Sequence, residues 1–161
     1  MTALREVNGL AGVLGIVVRD LDGRIVEERR VNNLITTAGR QVLAQLMTGA
    51  VAPGRLQIAV GGSGQPASPD DVGLHKPLDV AEASVPSLEA KAIGDGELPR
   101  VLAKVQATLP ARGGGDVQEL QEAGIVLSLS NEQSVLYNRV TFPPINRSGN
   151  LELTLTWEVI F

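Results

Sequence analysis

The chain has 161 residues, 43% of them hydrophobic but only 2% aromatic, and a formal net charge of −4. A chain of this length makes one domain whose core needs neither disulfide nor metal. With so few aromatics that core is built from Val, Leu, Ile and Ala. A net-negative chain lacks the positive field that displaces counterions from phosphates, and it has few rings on which bases could stack, which excludes a nucleic-acid binder. The absence of cysteine excludes disulfide frameworks, thiol catalysis and Cys-ligated zinc. No apolar run approaches the roughly 18 residues of a membrane span.

The opening MTALREVNGLAGVLGIVVRD resembles a leader only superficially. Arg5 and Glu6 nearly cancel, and Gly9, Gly12 and Gly15 break the apolar stretch, so it reads as mature chain. Residues 13–19 and 24–31 are strand-like and flank Asp20-Leu21-Asp22-Gly23. Asp-Gly between two such runs predicts a hairpin with one wet face. Asp20 and Asp22 also match the start of a calcium loop, but the twelfth position of that loop needs a glutamate and is Val31, so the hairpin reading stands. Ala38, Val42, Leu43, Leu46 and Met47 then recur at helical spacing. They predict a helix over 37–48, capped by the hydroxyl of Thr36 or Thr37 and ended at Gly49. Its apolar stripe, with Leu43 and Leu46, should pack on a sheet, and Arg40 and Gln41 should face water.

Residues 55–60 read as a strand ended by Gly61-Gly62-Ser63-Gly64. Ser68-Pro69-Asp70-Asp71 has the form of a helix start, with a capping serine, a first-turn proline and acids at the positive end of the dipole. Any helix there ends near Leu74. Residues 75–99 are a Pro/Gly-rich excursion with one or two edge strands, since Pro77, Pro86 and Pro99 confine strands to edges. Residues 100–109 alternate as a half-buried strand, and 110–115 form a glycine-rich loop. Residues 117–123 are extended or a short turn, 124–130 a strand, 131–133 a turn, and 134–142 its antiparallel partner. Pro143-Pro144-Ile145 should break that ladder, and 146–150 should turn. In the last strand Leu151, Leu153, Leu155, Trp157, Val159 and Phe161 line one face, and Glu152, Thr154, Thr156 and Glu158 the other. Trp157 and Phe161 should anchor the core, each burying on the order of 150–250 Å². The sum is a mainly β chain, an antiparallel β-sandwich with one packed α-helix, forming a single domain over residues 1–161.

Catalytic and cofactor motifs are weak. His75 is the sole histidine, and it has no nucleophile motif beside it for a Ser-His-Asp relay and no grouped partners at metal spacing. Gly61-Gly62-Ser63-Gly64 lacks the Gly-Lys-Ser/Thr ending of a phosphate loop. Gly113-Gly114-Gly115 is too short and unflanked for a dinucleotide fingerprint. Asp70-Asp71 fits a helix start, and Glu152 and Glu158 a solvated face, better than a glycosidase pair. The expectation is therefore a non-enzymatic protein with no catalytic, metal or cofactor site and no small-molecule ligand.

The order of parts is itself informative. NNLITTAGRQVLAQLM follows the hairpin, then RLQIAVGGSGQPASPDD, and the chain closes on QEAGIVLSLSNEQSVLYNRVTFPPINRSGNLELTLTWEVIF. This resembles bacteriophage tail-associated structural proteins, the tail-fibre, collar and baseplate components of phages and phage-like contractile particles. The likeness spans roughly residues 31–74 and 118–161. It implies a β-rich module that assembles into a virion in the bacterial cytoplasm, as a cyclic homo-oligomer bound to other virion structural proteins. Alternatives are a capsid decoration or cement protein, or a receptor-binding module for a host-surface glycan or protein. On composition, partner contacts are expected from the loops 61–71 and 75–99, including Gly61, Gly62, Asp70, Asp71, His75 and Lys76.

Overall fold

The computed structural model describes residues 9–92 and 94–161. The leader-like residues Arg5 and Glu6 lie outside the described residues. The protein is a sandwich of two antiparallel sheets with one helix. Sheet one pairs residues 25–32, 11–19, 152–160, 100–109 and 84–91 in that order, and the main path of sheet two pairs 34–35, 138–147, 118–129, 53–61 and 77–82, with 134–136 added beside 118–129. Among the described residues, no helix is long and apolar enough to cross a membrane.

The Asp22-Gly23 hairpin joins β1 (Ala11–Arg19) to β2 (Ile25–Asn32). Gly23 takes φ +81, a backbone conformation that a residue without Cβ adopts at no steric cost. The Asp20 carboxylate accepts from the N–H groups of Asp22 and Arg24 at 2.9 and 3.0 Å, so it serves the turn rather than a cation. Alternate residues of β1 (Leu14, Ile16 and Val18) are buried, as a strand with one wet face requires.

After β3 (Leu34–Ile35), helix α1 covers Thr37–Met47. Thr36 is its N-cap, with Oγ1 accepting from the Gly39 N–H at 2.9 Å, and Gly49 beyond it takes φ +75. Arg40 and Gln41 are exposed. The expected stripe docks only at Val42 and Leu43. Gly39 and Val42 are the buried residues of the helix, Leu43 is partly buried against the core, and Leu46 is only half-buried, outside it. The cause is how closely the first turn approaches Tyr137: any Cβ at Gly39 would collide with the Tyr137 carbonyl. With its first turn pinned there, the helix directs its second half toward the rim, and Met47 is 92% exposed.

Strands β4 (Pro53–Gly61), β5 (Pro77–Glu82), β6 (Ser84–Lys91) and β7 (Arg100–Leu109) follow. The excursion at 75–99 thus supplies one edge strand to each sheet, β5 beside β4 and β6 beside β7. Pro77 opens β5, and the register of β6 against β7 shifts around Pro86, between Ser84 and Ser87, as expected for a residue that cannot donate to a ladder. The helix expected from Ser68 does not form. Residues 69–70 make a turn, and the chain runs irregularly to Pro77.

In the second half strand β8 (Gln118–Leu129) is continuous, so of the two readings of residues 117–123, extended or a short turn, the extended one holds from 118 on. Its partner is interrupted at Tyr137, into β9 (Ser134–Leu136) and β10 (Asn138–Arg147), and β10 runs through Pro143-Pro144. The prolines sit where the register slips between Thr141 and Ile145. A bulge accommodates residues that cannot donate, so the ladder bends without ending.

Strand β11 (Glu152–Ile160) lies at the centre of sheet one between β1 and β7. Leu153, Leu155, Trp157 and Val159 are buried, and Trp157 is fully enclosed. The Trp157 indole donates to Asn33 Oδ1 at 2.7 Å. Phe161 is 42% exposed, which corrects its expected place in the core: β11 ends at Ile160, and Phe161 lies one residue beyond it on the crevice between the sheets. One apolar cluster draws on Leu14, Ile16, Leu153 and Leu155 from sheet one and on Ile58, Val60, Ile125 and Val140 from sheet two.

At each side of the sandwich one residue carries the chain from sheet to sheet. Asn33 links β2 to β3, and Ala83 links β5 to β6.

Candidate functional site

Two regions could carry function: a buried ionic cluster under the loop 62–76, and an apolar crevice between the sheets. In β10 the core-facing residue is Val140, and in β8 its pair is Ala123. The pleat therefore turns Arg139 and Glu122 to the opposite, outer face of sheet two. Both are fully buried there, because the loop 62–76 covers them. The Arg139 Nε donates to Glu122 Oε2 at 2.8 Å and its Nη1 to Asp71 Oδ2 at 3.2 Å. The second carboxylate oxygen of Glu122 accepts from the Lys76 N–H at 2.7 Å, and the His75 N–H reaches Oε2 at 3.1 Å. Asp71 accepts from the Ser68 N–H at 2.9 Å. The His75 ring sits between Asp71 Oδ1, 2.9 Å from Nε2, and Gln65 Oε1, 2.7 Å from Nδ1.

Burial opposes ionisation of Asp71, but the Ser68 N–H, the His75 ring and the Arg139 guanidinium outweigh it and hold its carboxyl below the ordinary aspartate range. This is the arrangement that buried charge demands: each carboxylate is hydrogen-bonded as well as paired. Glycine is required at the contact. A Cβ at Gly61 would strike both the Lys76 carbonyl and the Glu122 carboxylate. The Gly62 N–H donates to Lys76 O at 2.9 Å.

Of the six residues expected at partner contacts, the cluster gathers Gly61, Gly62, Asp71, His75 and Lys76. Asp70 stays exposed in the turn, its N–H 3.3 Å from Ser68 Oγ. Asp71, expected to open a helix, is instead buried with both carboxylate oxygens engaged inside the chain. The Ser68 hydroxyl accepts from the Asp70 N–H at 3.3 Å, and the two ring nitrogens of His75 face Asp71 and Gln65. Among the described residues, no group of three or more His, Asp or Glu is placed to hold a metal ion. The cluster fastens the loop to the sheet. A second staple repeats it: buried Arg147 donates to Asp79 at 2.8 Å, Gln118 at 3.0 Å and the Pro110 carbonyl at 2.6 Å. Residue type and spacing single out none of Glu122, Arg139, Arg147 and Asp79. The usable signal is a lone charge set among apolar neighbours, as in EAGIVL and YNRVTF.

The chain matches no family model, no curated protein and no solved structure.

The crevice is the opposite kind of site. It is an opening of about 270 Å³ between the sheets, bounded by Leu43, Leu56, Val85, Leu88, Tyr137 and Phe161 among others, all apolar but for the Tyr137 hydroxyl. That hydroxyl is buried without a hydrogen-bond partner, and burial pushes its pKa up to about 12. Val85, Leu88 and Phe161 at the mouth are exposed by 50%, 68% and 42%.

Proposed function

We propose that this chain is a non-enzymatic structural component of a phage virion or phage-like particle, tail-associated, that acts by protein–protein assembly. The observation that carries the reading is the crevice end of the sandwich. Large apolar side chains, Val85, Leu88, Val101 and Phe161, are exposed there together, beside the edge strand β6, whose outer backbone groups no strand pairs among the described residues. An apolar patch next to a bare strand edge is suited to accepting another chain. The ionic groups are spent the other way, in fastening loops to the sheet. The sequence resemblance to tail-fibre, collar and baseplate proteins supports the same class.

Mass measurement of the purified protein in solution, followed by electron microscopy of the intact particle with the protein labelled, tests the reading. A stable oligomer found in the tail is expected. A strict monomer absent from particles, or a specific hit on a glycan array, would overturn it.

A further inference from the structure

The free edge of β6 has a self-complementary pattern, and we propose that two copies of this chain pair through it, antiparallel and centred on Ala90, to make a two-fold dimer with a continuous ten-stranded sheet. The inference rests on the reading of the chain as one that assembles, and it names the partner and the register.

The backbone fixes which residues face outward. Val101 and Phe161 exchange both backbone hydrogen bonds, at 3.2 and 2.9 Å, so the N–H and C=O of Val101 face β11. Alternation then turns those of Arg100 and Leu102 toward β6, where their opposites are Lys91 and Glu89. Glu89 and Lys91 therefore direct their backbone groups at β7, and Leu88 and Ala90 present theirs to the open edge.

In an antiparallel pair, opposed residues either both bond to each other or both do not, so a two-fold pairing must centre on a single residue. Centring on Glu89 sets that carboxylate against its own copy, and centring on Lys91 does the same with two ammonium groups. Centring on Leu88 places Pro86, which has no N–H, opposite Ala90 and forfeits a bond. Centring on Ala90 is the register that sets Glu89 opposite Lys91, with an in-strand overlap of residues 89–91 and Leu88 opposite Ala92 just past the end of β6. Ala90 meets its own counterpart as a hydrogen-bonded pair, and Lys91 stands opposite Glu89 of the second copy, twice by symmetry, in the non-hydrogen-bonded positions where side chains approach most closely. Glu89 and Lys91 are exposed and 3.9 Å apart within one chain, free to re-pair across the axis. A lysine on an edge ordinarily repels an added strand. Here the glutamate two residues before it converts that guard into a matched contact, an isologous interface.

Because the chain has no cysteine, single cysteines report the register directly. Ala90→Cys should form a disulfide-linked dimer under mild oxidation, since opposed strand residues lie within the Cα separation a disulfide spans. Val72→Cys, on an exposed loop residue, should not link at the same concentration. Lys91→Glu turns two attractive pairs into two repulsive ones and should weaken self-association on the order of tenfold or more, and the exchange Glu89→Lys with Lys91→Glu should restore it. Linking of Ala90→Cys no faster than Val72→Cys, or self-association unchanged in Lys91→Glu, overturns the interface. If particles contain the protein while Ala90→Cys fails to link, this interface falls and the assembly reading stands. If Ala90→Cys links in a protein absent from particles, the interface stands and that reading falls.

Discussion

Strand β8 passes within a few residues through two environments that treat polar groups in opposite ways. At Glu122 it carries a fully buried charge, answered by Arg139 and by two backbone N–H groups from the loop above. At Ile125 and Leu127 it lines an apolar opening whose one polar atom, the Tyr137 hydroxyl, is unanswered. The ionic region closes within one chain at its carboxylates, each of which is answered, while Arg139 Nη2 and Arg147 Nε are buried without a partner. The apolar region is incomplete, with exposed large side chains at its mouth. In this protein buried charge marks where the chain closes on itself, and exposed hydrocarbon marks the mouth of the crevice.

The sharpest attempt to break that comparison is Arg139→Met. It leaves Glu122 and Asp71 buried without their cation and should cost about 3–5 kcal/mol in denaturant unfolding. Adding Glu122→Gln should recover part of the loss. A change below about 1 kcal/mol in the single variant would show the staple to be ornamental. Gly39→Ala comes next. Alanine is the better helix former by about 1 kcal/mol, yet its Cβ strikes the Tyr137 backbone, so thermal melting should show destabilisation where propensity alone predicts a gain.

Acid should undo the staple in a defined window. The folded pKa of Asp71 lies below its unfolded value, so its contribution is fully present above about pH 4 and is lost as pH falls through the folded value. The stability advantage of the native protein over Asp71→Asn should therefore be flat at neutral pH and shrink in acid. An advantage that grows on acidification would reverse the sign and dismiss the ion pair as its source. The smallest effect should come from the crevice. Tyr137→Phe removes a hydroxyl with nothing to lose and should leave stability within about 1 kcal/mol of the parent, on the stabilising side. A larger loss would mean that the hydroxyl has a partner after all.

Local signals made some of this legible in the sequence. Asp22-Gly23, the Thr36 cap with Gly49, and the alternation of Leu153, Leu155 and Trp157 each depend on neighbours in the chain, and each appears where expected. What escaped depends on contacts made far away. The polar run Gln118 to Glu122 left extended chain and turn both open, because its polar groups are answered only by distant partners, Arg139, Arg147 and the loop 62–76. Asp70-Asp71 looked like a helix start because no local rule shows that Asp71 pairs with a residue 68 positions on. Pro143-Pro144 suggested a break, but a bulge absorbs both residues. Phe161 was expected inside because alternation gives the face of a residue and not where the opposing sheet ends.

The single-residue crossings at Asn33 and Ala83 bear on mechanics. With both flanks stitched by covalent backbone, the two layers resemble a flattened tube more than two loose plates. Neither layer can slip along the other without dragging its stitches, and Asn33 is further tied to the central tryptophan. Tension applied to one layer is thus passed to the other through the main chain itself.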